Sequence, residues 1–197
     1  FFPIHTRIRE LLAQGALGTL QGIVVHHNYM GPADPTIYDP REGVGAFMDQ
    51  APYVVGIAYS VLGPPQEVTG LATFGETGLC TQACHVLKHA GGALSTLVSS
   101  RVTVDLKEAF IFGTQGKIEI HDPWYKPTAM TVTIAGRPPE RIECPLGAFI
   151  GYEYEALAVM DCIAAGQTEC AVMPLDESLA ILQTMDAIRA QWRLADG

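Results

Sequence analysis

The stretch LCTQACHVLKHAGGALSTLVSS, residues 79–100, decides the fold. Two apolar-rich runs flank Ala90-Gly91-Gly92, and glycine reaches the positive φ that a tight turn demands, so the pattern predicts a pair of strands near residues 79–88 and 93–100. Further runs rich in Val, Thr, Ile and Phe predict strands near residues 67–74, 108–112, 117–120, 129–134 and 141–144. Gly113-Thr114-Gln115-Gly116 supplies another turn of the same kind. Consecutive hairpins build a largely antiparallel sheet, which commonly leaves one face to water, and Val86, Leu94, Leu97 and Val98 are apolar content for a single helical layer to cover.

Outward from this block the spacing changes. Ile4, Ile8, Leu11 and Leu12 share one helical face, and Gly15 stops a helix over residues 4–14. Ile23-Val24-Val25 marks a strand over residues 19–29, broken by Gly31-Pro32-Ala33-Asp34-Pro35, and residues 40–45 continue as loop. Val54, Ile57, Ala58, Val61 and Leu62 follow helical spacing up to Gly63-Pro64-Pro65. Two helices close the chain: residues 152–165 carry Leu157, Met160 and Ile163, and the last carries Ile181, Met185, Ile188 and Trp192 with Pro174 in its first turn. The order is that of an α+β domain, an open and mostly antiparallel sheet with helices packed on one face, formed by one continuous domain over the 197 residues.

Composition narrows the function. Twelve Lys and Arg stand against 21 Asp and Glu, a net charge of −9 without a basic cluster, which argues against nucleic acid or an anionic membrane as partner. The uncharged stretch between Asp49 and Glu67 contains Pro52, Gly56, Pro64 and Pro65, whereas a spanning helix needs about 20 mostly apolar residues. Charged residues are only 17% of the chain, against roughly 25% in an ordinary domain, which predicts a lightly charged face covered by another domain or subunit. Five cysteines, an odd number, favour unpaired thiols and a cytoplasmic location. The sequence opens at Phe1-Phe2-Pro3, so the chain is expected to be a piece of a longer protein.

Candidate chemistry is sparse. Gly43-Val44-Gly45-Ala46 lacks the third glycine of a dinucleotide loop, and no phosphate-binding P-loop string occurs, so this chain alone is not expected to bind a dinucleotide. Asp49 and Tyr53 stand four apart at the entry to the second helix and can share one side of it, where a carboxylate and a phenol suit proton transfer. A competing reading makes Asp49 the helix N-cap and Tyr53 a core-edge residue. His26, His27 and Asn28 end the first strand beside a Gly/Pro loop; neighbours alternate faces, so His26 and Asn28 go together as candidate ligand contacts. Cys84, His85 and His89 have ligand chemistry but span about 13 Å along a strand at ~3.3 Å per residue, so no metal is expected, and solvent-facing hairpin histidines are the alternative.

Four segments in order resemble a known family: Phe2-Pro3-Ile4-His5 through Gly15-Ala16-Leu17-Gly18, Asp49 to Tyr53, Ile111-Phe112-Gly113-Thr114-Gln115-Gly116-Lys117-Ile118, and Met173-Pro174-Leu175-Asp176-Glu177-Ser178-Leu179 with Met185-Asp186-Ala187-Ile188-Arg189. Together they resemble the C-terminal domain of the Gfo/Idh/MocA oxidoreductases, in the branch of glucose–fructose oxidoreductase and dimeric dihydrodiol dehydrogenase. The resemblance implies an N-terminal Rossmann domain, outside this chain, that binds NAD or NADP and supplies a catalytic lysine, and a C-terminal sheet that contacts substrate and forms a homodimer. It implies hydride transfer at a hydroxyl-bearing carbon of a sugar, polyol or diol, with Tyr53 relaying the proton and Asp49 orienting substrate or phenol. Ala51 stands where the family motif has glycine. The chain alone is expected to be inactive. The rival expectation is a non-catalytic ligand-binding or dimerisation module of the same fold, and a third is a stand-alone metal-dependent enzyme.

Overall fold

The computed structural model describes residues 1–30, 39–42, 44–146 and 150–192. The Gly31–Pro35 breaker of the sequence reading, and Gly43, lie outside them. In chain order the described elements are α1 (Pro3–Ala13), β1 (Leu20–Asn28), α2 (Gly45–Leu62), β2 (Pro65–Phe74), β3 (Cys80–His89), β4 (Leu94–Ser100), β5 (Ala109–Gly113), β6 (Gly116–Ile120), β7 (Ala129–Ile134), β8 (Glu140–Glu143), α3 (Glu153–Ala164) and α4 (Leu175–Trp192). The eight strands form one open sheet in the order β2-β3-β4-β1-β5-β6-β7-β8. Every neighbouring pair is antiparallel except β1 with β4, because β1 comes from before α2 and inserts between two later hairpins.

Side-chain alternation gives the sheet two different faces. Ile23, Val25, Leu87, Leu97, Ile111, Ile118 and Ile120 are buried on the helical side, where α2 packs on β1, β3 and β4. Val86 and Leu94 lie on the other side and are exposed. Of the four residues expected under the helical layer, it covers Leu97; Val86, Val98 and Leu94 follow the opposite parity. The histidines of β3 also differ from expectation. His85 and His89 are fully buried rather than solvent-facing, because odd-numbered β3 residues point into the helical side with Ala83 and Leu87.

The turn at Ala90-Gly91-Gly92 uses positive φ at both glycines, as the sequence suggests. Gly113 and Gly116 work differently. Neither has positive φ; a Cβ at Gly113 would meet the Leu17 carbonyl oxygen at 2.2 Å and one at Gly116 the Thr133 carbonyl oxygen at 2.4 Å. These glycines allow close backbone approach. Helix α2 starts at Gly45, four residues before Asp49, so Asp49 is not its N-cap and Pro52 lies inside it. Helix α4 is pinned to α2 where the Tyr59 hydroxyl lies 2.6 Å from Thr184 Oγ1 and 3.1 Å from the Ala180 carbonyl oxygen. Helix α3 buries nothing fully, and its Leu157, Met160 and Ile163 are exposed.

Candidate active site

The site forms where α2, the end of β1 and the loop after β6 converge. Because α2 turns through 3.6 residues, Asp49 and Tyr53 stand one above the other on its outward side. Ala51, between them, falls on the opposite side and is fully buried in the core. Its methyl therefore does not enter the space beside Asp49 and Tyr53. Together with His27, Tyr125, Lys126 and Tyr152, Asp49 and Tyr53 line a cleft of about 200 Å³.

Asp49 is fixed by Arg101, which follows β4. The guanidinium donates to Asp49 Oδ2 from Nε at 3.1 Å and also from Nη2, while the guanidinium stands over the Tyr29 ring, 5.2 Å from its centroid. Both contacts fall on Oδ2, leaving Oδ1 to accept from a ligand hydroxyl. The Arg101 side chain is only 12% exposed and that of Asp49 33%, so this ion pair is better shielded than a surface pair. Tyr53 is 48% exposed, with its ring edge-on to His27 at 5.3 Å between centroids. Burial, then the neighbouring Tyr152, Asp49 and Tyr125, hold its phenol above the ordinary tyrosine range, and Lys126 acts against them. The phenol is thus protonated at neutral pH.

His27 is the strand residue that faces the cleft. It shares the helical side with Ile23 and Val25, its ring stacks on Tyr125 at 5.0 Å, and Trp124 stands edge-on at 5.9 Å. Burial lowers its pKa to about 4; Asp49 opposes the shift, and Lys107 and Arg101 add to it, so the ring is neutral near pH 7. His26 and Asn28, the substrate contacts expected from the sequence, share the opposite strand parity. Both point to the other face, and neither lines the cleft. His26 contributes instead through its carbonyl, which accepts the Trp124 Nε1–H at 2.9 Å, and Asn28 exchanges main-chain hydrogen bonds with Leu106 at the end of β1.

The loop carrying Trp124, Tyr125 and Lys126 was missed by sequence reasoning, since a loop has no periodicity to read. It is tied down from several directions. His5 Nε2 of α1 donates to the Trp124 carbonyl at 3.1 Å, the Trp124 amide donates to the Lys107 carbonyl at 2.9 Å, and the Lys126 amide donates to the Pro123 carbonyl at 2.9 Å. Burial lowers the His5 pKa to about 4, which keeps that ring a neutral clamp. The Trp-Tyr pair beside a lysine was the available signal, because aromatic rings with polar tips are frequent in ligand clefts.

No group of three or more His, Cys, Asp or Glu side chains able to hold a metal occurs among the described residues. All five cysteines carry free thiols, and burial raises that of Cys80 to about 11. No helix among the described residues is long and apolar enough to cross a membrane.

Comparisons with known proteins converge on this architecture. Human trans-1,2-dihydrobenzene-1,2-diol dehydrogenase is 28% identical over 196 residues, covering 96% of this chain and 58% of that enzyme. The aldose-aldose oxidoreductase of Caulobacter crescentus, solved with glycerol, superposes with a TM-score of 0.84 at 23% identity over 99% of this chain and 60% of its own. A 3-ketoreductase from Actinomadura kijaniata, solved with NADP and TDP-benzene, gives a TM-score of 0.81 at 16% identity over 95% and 58%. The chain thus spans less than two thirds of the length of each of these relatives. The profile of the GFO/IDH/MocA C-terminal domain matches residues 5–119, more than half of the sequence and the part that holds β1, Asp49, Tyr53 and Arg101, so the chain belongs to the Gfo/Idh/MocA oxidoreductase family.

Proposed function

We propose that this chain is the substrate-facing C-terminal part of an NAD- or NADP-dependent oxidoreductase that moves a hydride between nicotinamide and a hydroxyl-bearing carbon of a sugar, polyol or diol. The observation that carries the reading is the protonated Tyr53 phenol at the mouth of a polar cleft, one helical turn from a carboxylate that Arg101 holds in place. The dihydrodiol dehydrogenase and aldose oxidoreductase relatives support the substrate class.

When bound, the nicotinamide supplies the hydride donor or acceptor. The cleft offers phenols, a carboxylate and an ammonium, which suit the reacting end of such a cofactor and its substrate, while the sequence has no glycine loop for its phosphates. The nucleotide is therefore assigned to an N-terminal Rossmann domain outside this chain. Tyr53 gives its proton to a carbonyl oxygen in the reducing direction, and Asp49 Oδ1 orients the neighbouring hydroxyl. In the oxidising direction the phenol must lose its proton first; Lys126 alone leaves its pKa raised, and the lysine expected from the N-terminal half would add the further positive charge that lowers it. Ala51, which stands where the family motif has glycine, is buried in the core, so its methyl gives no support to the rival reading of a binding module that lost its chemistry.

In the whole protein, Tyr53→Phe should cut kcat by about a hundredfold or more, as loss of a general acid does, while nicotinamide affinity stays the same. Turnover equal to that of the unmodified protein would remove Tyr53 from the mechanism. The proposal extends to assembly as a homodimer through the open sheet face, supported by the exposed Leu71, Val86, Leu94 and Phe112, and to a cytoplasmic location, supported by the five free thiols. The exposed apolar side chains of α3 support a covering nucleotide domain.

A further inference from the structure

We propose that Lys126 selects the substrate by binding an anionic group, a carboxylate or a phosphate monoester, on the same molecule whose hydroxyl meets Tyr53. This rests on the function proposed above and adds the charge of the substrate to it.

Among the described residues three cations stand near the reacting groups, and two are engaged. Arg101 is committed to Asp49, and Lys107 to Asp105 at 2.7 Å. Lys126 has no carboxylate within 4.0 Å among the described residues. Its Nζ stands instead over the Tyr152 ring, 4.2 Å from the centroid, a contact that orients an ammonium without neutralising it. His27, kept neutral by burial, adds no charge of its own, and Asp49, the carboxylate lining the cleft among the described residues, is already paired. With Asp49 neutralised from behind by Arg101, Lys126 is the unneutralised charge of the cleft among the described residues, in a chain whose overall charge is −9.

A concave polar site that presents an unneutralised ammonium attracts a ligand of complementary charge. Lys126 is also well placed to discriminate. Its main chain is anchored through the Pro123 carbonyl, Trp124 two residues before it is held by His5, Lys107 and His26, and Lys126 lines the same cleft as Tyr53 and Asp49. A polyol acid that places a hydroxyl between Tyr53 and Asp49 can reach Lys126 with its anionic end. A neutral sugar leaves the ammonium without a partner.

The anion has another source, the phosphates of the nucleotide, and the test separates the two. In the whole protein, kcat/KM is measured for D-glucuronate and for D-glucose, with and without Lys126→Met, alongside NADP affinity by protein fluorescence. The ratio of kcat/KM for glucuronate over glucose should fall by about ten- to a hundredfold, the value of one charge-assisted hydrogen bond, with partial recovery in Lys126→Arg and unchanged NADP affinity. An unmoved ratio, or a loss of NADP affinity in its place, overturns the proposal. Calorimetric titration of D-glucuronate and D-glucose 6-phosphate keeps it testable without turnover. Binding that Lys126→Met abolishes supports the lysine's role even if no polyol is oxidised, an outcome that would sink the oxidoreductase reading alone. Failure of both anions to bind the unmodified protein at millimolar concentration overturns the lysine's role.

Discussion

His85 is fully buried, with Phe47 edge-on at 5.1 Å and Trp192 stacked at 6.1 Å, and neither ring nitrogen has a hydrogen-bond partner among the described residues. Burial alone lowers its pKa to about 4. The folded state thus keeps the ring neutral, while the unfolded chain takes up a proton once pH falls below about 6.5. Between pH 6.5 and 4 the unfolded state binds more protons, so the stability contributed by neutral His85 is complete above this window and is lost as pH falls through it. A shift of this size corresponds to something on the order of 3 kcal/mol. His5 and His27 are shifted in the same direction. Urea midpoints at pH 7.5 and pH 5 should differ strongly for the unmodified chain and by less for His85→Phe; an equal difference would show that His85 does not titrate on unfolding. Nothing in the sequence marks His85 as buried beyond its parity with Ala83 and Leu87, and hydropathy favours the solvent-facing reading. The same parity separates His27 from His26. Periodicity identifies which residues share a face, but only the position of α2 decides which face is the inside.

At the scale of elements, strand and helix positions follow closely from hydrophobic pattern and glycine punctuation, since β-branched runs and helical spacing are local properties. Two features are not local. The insertion of β1 between β4 and β5 depends on long-range pairing, and the start of α2 at Gly45 was hidden because Asp49 is a good N-cap residue type whose carboxylate instead serves Arg101. The glycines also divide by role. At Gly113 a methyl would strike the Leu17 carbonyl, which already accepts the Gln115 amide at 2.9 Å, so the backbone cannot yield without losing that bond. Gly56, inside α2, has only Ile181 Cδ1 at 3.9 Å and an ordinary φ. Gly113→Ala should cost about 1–3 kcal/mol by overpacking, whereas Gly56→Ala should stabilise by up to about 1 kcal/mol through helix propensity. Thermal melts of the two variants beside the unmodified chain test the pair; destabilisation by both would refute the division.

For the whole molecule, the low charged fraction has a structural location. The open face of the sheet exposes Leu71 at 81%, Leu94 at 49%, Phe112 at 37% and Val86 at 36%, with the Phe110 and Phe112 rings stacked at 6.3 Å. Charges of both signs border them, including the Lys88–Glu67 pair at 2.6 Å, and Lys117 and Glu119 on β6. A face with this mixture suits a second copy of itself: a two-fold axis brings apolar centre onto apolar centre and lets each charge meet its opposite. Val86 lies on β3, paired to Thr69 on one side and Thr96 on the other, so it is inside the sheet rather than at an edge. Val86→Glu in the whole protein places two carboxylates within the expected apolar contact, where unpaired buried charge is strongly unfavourable. Light scattering at micromolar concentration should then give a dimer mass for the unmodified protein and half that mass for the variant, with unchanged far-ultraviolet circular dichroism showing that the fold persists. A monomer from the unmodified protein would mean that the open face is simply solvated. A dimer that survives Val86→Glu would place the interface elsewhere, with the apolar flank of α3 as the next surface to test.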